Sequence, residues 1–291
     1  MFGFLNVYKP VGMTSHDVVA FLRRVLKIKQ IGHTGTLDPF AEGVLPISIG
    51  KATRLIEYLR EDKGYIATVQ FGISTDTYDS EGKITFESDI KVTSKDIDSI
   101  LAKFCGEIEQ IPPIYSAIKV KGKKLYEYAR SGEKVEIKPR KVIIDKIELI
   151  DFNYEKQQAT INIECSKGTY IRSIASDIGK ELGCGAHLIK LIRTKSGHFV
   201  LEYTINLESL ENLSIIQDNL INPIDVLPFD CYQLTEEELK KVKNGQSFVN
   251  KSIKNADFVI LVYNNVVSAV ANCTNYVIKV CKVFEIWNKK Y

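Results

Sequence analysis

Stretches of two-residue apolar period and stretches of helical period do not take strict turns along this chain, and that arrangement narrows the fold more than any other feature. Residues 2–8, 65–71, 142–152 and 159–165 read as strands and 44–49 as an apolar run, whereas 15–26, 94–104 and 171–182 place apolar residues at helical spacing. Lys9-Pro10 stops the first strand, because proline locks its own φ and holds the preceding residue extended. Thr14 and Ser15 then offer caps to the first helix, whose end carries Arg23, Arg24 and Lys27 where cations suit the helix dipole. The expected class is α+β rather than a doubly wound parallel sheet.

Further along, residues 235–242 read as a helix capped by Thr235, followed by short strands at 258–263, 266–270 and 277–283 between Asn-rich turns. Pro223 and Pro228 disfavour a continuous helix across 222–228, so a boundary is expected there, with a large domain over 1–230 and a small β-rich one over 231–291. A chain of 291 residues with 45 % hydrophobic and 26 % charged content is long enough for both and has the composition of an ordinary globule. The N-terminus has no basic stretch leading into a long apolar one, and no run approaches the roughly 18 apolar residues of a spanning helix. An unprocessed cytoplasmic protein with no membrane contact is expected. The six cysteines include no C-x-x-C pair and the four histidines no ligand spacing, so the expectation is free buried thiols, no metal and no cofactor. Without a heptad pattern, a monomer with no obligate protein partner is expected.

The net charge of +3 says little, because phosphate binding depends on where charges sit. Nine Lys or Arg against three acids lie between Lys119 and Lys141, with Tyr126 and Tyr128 among them. Such a run is either a solvated face or a nucleic-acid clamp. Residues 32–43, GHTGTLDPFAEG, hold glycine and proline too often for helix or strand and read as a shaped loop. In it Asp38 follows two glycines that let the backbone approach a bulky partner, and it precedes Pro39. On local grounds Asp38 is equally an N-cap at a turn or a functional carboxylate.

The whole string GHTGTLDPFAEGVLPISIGKATR, residues 32–54, closely resembles the signature of the TruB family of tRNA pseudouridine synthases. NVYKPVGMTSHDVV (6–19), IPPIYSAIKVKGKKLYEYAR (111–130), CSKGTYIRSIASDIG (165–179) and GAHLIKLIRTKSG (185–197) resemble further family blocks in the family's order. The likeness thus spans most of residues 1 to about 230. It implies a mixed, mainly antiparallel central sheet flanked by helices, a thumb-like RNA clamp over about 111–141, and a small C-terminal RNA-binding domain of PUA type. The implied substrate is tRNA, and the implied reaction converts uridine 55 of the T-loop to pseudouridine.

The resemblance also implies roles. Pseudouridine formation breaks the bond between N1 and the ribose, turns the base and rejoins it through C5, so a nucleophile must hold one fragment meanwhile. By resemblance that nucleophile is Asp38. A carboxylate shielded from water needs a cation, and the matching residue is Arg172. Tyr65 matches a tyrosine that stacks on the target base and is placed to move a proton, while Tyr170 and Leu191 match positions lining the uracil pocket. The uridine must leave its stack at a cost of about a few kcal/mol, and His33 matches a histidine that enters the vacated space. Lys9-Pro10 matches a pair with a mainly structural job.

Three alternatives bear on this pattern. A tRNA-binding folding chaperone without modification activity would use the same basic segment and pocket. The guide-RNA-dependent branch of the superfamily resembles this chain around Asp38 but lacks the clamp. A glycoside hydrolase would need a second carboxylate facing Asp38, and no motif supplies one.

Overall fold

The computed structural model describes residues 1–284; the last seven residues of the expected small domain, 285–291, lie outside the described part. A ten-stranded sheet forms the body. Its order runs Ile205–Asn206, Gly3–Lys9, Glu42–Ile49, Ala186–Ser196, Lys63–Phe71, Gln158–Cys165, Arg140–Asn153 and Gly106–Gln110, with Ile31–His33 paired to Glu42–Ile49 and Phe199–Val200 to Ala186–Ser196. Gly3–Lys9 with Ile205–Asn206 and Glu42–Ile49 with Ala186–Ser196 are parallel, and the other pairings are antiparallel. The sheet is therefore mixed and mainly antiparallel, as expected.

Alternation along the strands builds two cores. Leu5, Val7, Leu45, Ile47, Ala67, Val69, Ile161 and Ile163 share one core with the helices Ser15–Leu26, Ser94–Leu101 and Ile171–Glu181, which insert Val18, Leu22, Ile97, Leu101, Ile174 and Ile178. Phe4 and Val44, one residue out of phase, belong to a second core with Ala52, Leu55 and Tyr58 of the 3-10 segment Gly50–Tyr58. Ile260, Val262, Val267 and Val270 of the C-terminal sheet complete it. That sheet, ordered Cys231–Gln233, Ala256–Tyr263, Val266–Thr274, Val277–Val283, Phe248–Val249, packs against the body through shared apolar side chains.

The first helix spans Ser15–Leu26 as its spacing predicts, closed at its start by a Thr14/Asp17 capping box and at its end by Lys27 in the left-handed region. Three differences from the sequence reading matter. The segment 32–43 is not loop throughout, because Ile31–His33 pairs as an edge strand with Ile47, Ser48 and Ile49. Ala186–Ser196 is a central strand whose period is masked by the buried polar residues His187 and Arg193. All six cysteines are free, but Cys105, Cys231 and Cys281 are exposed, the last two because they face outward from their strands. Among the described residues no helix is long and apolar enough to cross a membrane.

Candidate active site

The backbone around Asp38 is held from several sides before its side chain does anything. Ser15 Oγ accepts from the Leu37 amide at 2.8 Å and donates to the Leu37 carbonyl at 3.1 Å. The Gly12 amide donates to the Pro39 carbonyl at 2.8 Å. Lys9, fully buried, donates through Nζ to the carbonyls of Met13 (2.7 Å), Pro10 (2.8 Å) and Pro39 (3.4 Å). Arg193 reaches from the neighbouring strand to the carbonyls of Thr36 and Gly35, both at 3.2 Å. The Ala41 amide bonds the Asp38 carbonyl at 3.1 Å, so the turn expected on local grounds is present. The Asp38 side chain, however, does not cap it.

That side chain meets Arg172 instead. Arg172 is the second residue of the helix Ile171–Glu181, whose inner face is buried, and only 7 % of its side chain is exposed. Its Nε lies 3.0 Å from Asp38 Oδ2, with the N–H off the line of a hydrogen bond, so the contact is an ion pair held by charge. Nη1 donates to Asp79 Oδ2 and to the Thr77 carbonyl, both at 3.2 Å, and Nη2 donates to the Tyr115 carbonyl at 3.0 Å. Asp79 is itself fixed, accepting from Thr77 Oγ1 at 2.5 Å and the Glu81 amide at 3.1 Å. Two carboxylates and two carbonyls thus immobilise one guanidinium, whose planar fork suits such a multiple contact.

The charges oppose one another. Burial pushes the Asp38 carboxyl above the ordinary aspartate range; the Arg172 cation draws it down, and the like charge of Asp79 pushes it up again. Deep placement and access coexist here, since 36 % of the Asp38 side chain remains open towards the cavity. Burial also lowers Lys9 to about 8, with Asp38 acting against that shift.

The cavity has a volume of about 880 Å³ and is walled by Asp38, Tyr65, Tyr170, Arg172 and Leu191, together with Lys63 and Arg193. Tyr65 and Leu191 are buried in its lining, and Tyr170 caps the helix that presents Arg172, its backbone amide and carbonyl bonded to Gln110 at 2.7 and 3.0 Å. His33 stands just outside, one residue before the rim at Thr34, with Nδ1 buried and without a partner; burial lowers its pKa, helped by the nearby Arg193 and His16 charges. From the segment 111–141, Tyr115, Ser116, Ala117 and Tyr126 reach the wall. Beyond them a two-stranded hairpin, Lys119–Val120 with Lys123–Lys124, leads into the helix Leu125–Ser131, where Lys124 and Arg130 lie over the Tyr126 ring and Lys123 over Tyr128.

Asp79, Lys63 and Arg193 were not singled out by sequence reasoning. Asp79 lies in a stretch, 76–109, that is rich in Asp and Glu and offers no local signal that would single it out. Arg193 had a legible signal: it is two residues after Leu191 on one strand and so shares its face.

Two solved structures share this architecture over nearly the whole chain. "Structure of H/ACA RNP bound to a substrate RNA containing 2'-deoxyuridine" is 25 % identical with a TM-score of 0.72, covering 98 % of this chain and 86 % of that one. "Crystal Structure of a Cbf5-Nop10-Gar1 Complex" is 26 % identical, also at 0.72, covering 97 % and 84 %. The likeness to these neighbours, over a mixed sheet flanked by helices, defines the class, a pseudouridine synthase fold. Residues 23–171 match the TruB family pseudouridylate synthase (N terminal domain), and residues 172–227 match the tRNA pseudouridylate synthase B C-terminal domain. The chain is 51 % identical over 251 residues to the tRNA pseudouridine synthase B of Carboxydothermus hydrogenoformans, covering 84 % of this chain and 85 % of that one. It is 41 % identical over 292 residues to that of Clostridium kluyveri, covering 98 % and 100 %. This chain belongs to the TruB family of pseudouridylate synthases and is an isomerase.

Proposed function

We propose that this protein is a stand-alone tRNA pseudouridine synthase that isomerises uridine 55 of the T-loop, with Asp38 as nucleophile. The observation that carries this reading is the 3.0 Å contact between Asp38 and Arg172 at the wall of a cavity large enough for a nucleotide. Its relatives are named tRNA pseudouridine synthase B, which supports tRNA as the substrate. A uridine stacked inside a folded T-loop cannot reach the cavity, so it is flipped out, and His33, next to the rim residue Thr34, enters the gap it leaves. Inside, Asp38 holds one fragment while the base turns, Arg172 keeps the carboxylate ionised and aimed, Tyr65 moves a proton, and Tyr170 and Leu191 confine the ring.

The hairpin and helix within 111–141 act as a clamp on the RNA backbone, and the 231–291 unit is a PUA-like RNA-binding domain that extends the grip. The enzyme works in the cytoplasm, as a monomer, without a guide RNA. The test is incubation of the purified chain with unmodified tRNA transcript, followed by base-specific chemical mapping of pseudouridine. Product at uridine 55, absent with Asp38→Asn, is the expected result. Bound but unmodified tRNA would favour a chaperone, and an active Asp38→Asn would remove the nucleophile assignment.

A further inference from the structure

Arg193 is 1 % exposed, among the largest fully buried side chains, and its three hydrogen bonds all go to carbonyls: Val44 at 2.6 Å and Thr36 and Gly35 at 3.2 Å. Among the described residues no carboxylate lies within ion-pair distance of it. Carbonyl dipoles offset only part of the cost of taking a guanidinium out of water, so the charge calls for a further partner nearby. Its neighbour is Tyr65. The two are directly paired across antiparallel strands, which puts both side chains on the same face, and the guanidinium interacts with the phenolic hydroxyl.

We propose that Arg193 is a positioning residue for Tyr65, a fixed cation that stabilises the phenolate existing while the uracil is detached from the ribose. The inference rests on Tyr65 being the group that moves the proton. Uridine loses its C5 hydrogen and pseudouridine carries a new hydrogen on N1, so one proton passes from carbon to nitrogen and nothing else is consumed. As the bond between N1 and C1′ breaks, the phenol gives its proton to N1 and becomes phenolate. Once C5 has joined C1′, the phenolate takes the C5 proton, the ring regains its aromaticity, and the phenol is restored.

Between those transfers an anion sits in a water-poor pocket, where it needs a cation placed beforehand. Burial pushes the resting hydroxyl up, in keeping with a phenol that acts first as acid, and Arg193 is the strongest influence in the opposite direction. Lys63, two residues earlier on the strand of Tyr65, also lines the cavity, but burial lowers it to about 8, so it is a less constant charge than a guanidinium.

The experiment is single-turnover pseudouridine formation on tRNA transcripts bearing hydrogen or deuterium at uridine C5, with wild type, Arg193→Gln, Arg193→Lys and Tyr65→Phe. Arg193→Gln is expected to slow the reaction about 100-fold with tRNA affinity kept within about threefold, and with a C5 deuterium effect no larger than that of wild type, because the slowed steps are those that form and carry the phenolate, whereas an unshielded phenolate is the stronger base towards C5. Arg193→Lys, which keeps the charge but displaces it, should lose about two- to tenfold, again without an enlarged isotope effect. Three results would each overturn the proposal: an unslowed Arg193→Gln, a slow one with an enlarged C5 isotope effect, or an Arg193→Lys as slow as the glutamine variant. If Arg193→Gln does not fold, Arg193→Lys decides: slowing of about two- to tenfold without an enlarged isotope effect supports the proposal, and larger slowing, none, or an enlarged isotope effect overturns it. A fully active Tyr65→Phe would instead fault the reading of Tyr65, while an inactive Tyr65→Phe beside an unslowed Arg193→Gln would fault the inference about Arg193 alone.

Discussion

Replacing Arg172 by alanine removes the one cation that, among the described residues, is in ion-pair contact with Asp38, and the geometry sets the size of the effect. At the observed 3.0 Å, two unit charges attract by about 5 kcal/mol at an effective dielectric of about 20. Because 36 % of the Asp38 side chain is exposed, solvent screening leaves roughly half of that, about 2–3 kcal/mol. The sign is upward: a carboxyl already raised by burial and by Asp79 loses its main opposing charge and is protonated at a higher pH. With the loss of aim added, single-turnover pseudouridine formation at neutral pH should fall roughly 10²- to 10³-fold, with tRNA affinity changed by about threefold or less. Part of the rate should return as the pH is raised. Asp79, buried and paired to the same guanidinium, is orphaned too, so stability should drop by about 3–5 kcal/mol and the melting temperature by about 10 °C. Rates must therefore be taken well below the variant's transition. A folded Arg172→Ala within about tenfold of wild type, or one whose loss is wholly in tRNA affinity, would refute this reasoning.

The raised carboxyl of Asp38 makes a prediction for the wild type: activity falls on acidification through a pKa above the ordinary value of about 3.9, and a single-turnover pH profile whose acidic limb lies at or below that value would contradict it. Gly43 has φ +105° and a Cβ there would stand 2.4 Å from the Arg193 carbonyl, so Gly43→Ala should both unfold at lower temperature and lose activity, as read by a thermal melt and the same rate assay. If Lys119, Lys121 and Lys138, all exposed, contact phosphates, then changing the three to glutamine should flatten the slope of log affinity against log salt by about 2–3, with single-turnover rate at saturating enzyme little altered. An unchanged slope would remove the clamp from those residues.

Much of the fold was legible because its causes are local. The capped Ser15–Leu26 helix, the alternation of residues 65–71 and the turn at Asp38 each depend on neighbours a few residues away, and each appears where the sequence puts it. The five family blocks likewise identify the chemistry without coordinates, since they are strings of adjacent residues. What the string could not express is who meets whom. Asp79 is one of many acids in its stretch until the fold sets it against Arg172, and nothing next to Arg193 in the chain points to Tyr65 until strand register pairs the two. The sequence alone determined most of the elements, the turn at Asp38 and the family. Only the tertiary structure decided that one guanidinium serves two carboxylates and another faces a phenol, because strand order and register bring together residues far apart in the chain, and burial then makes their charges strong.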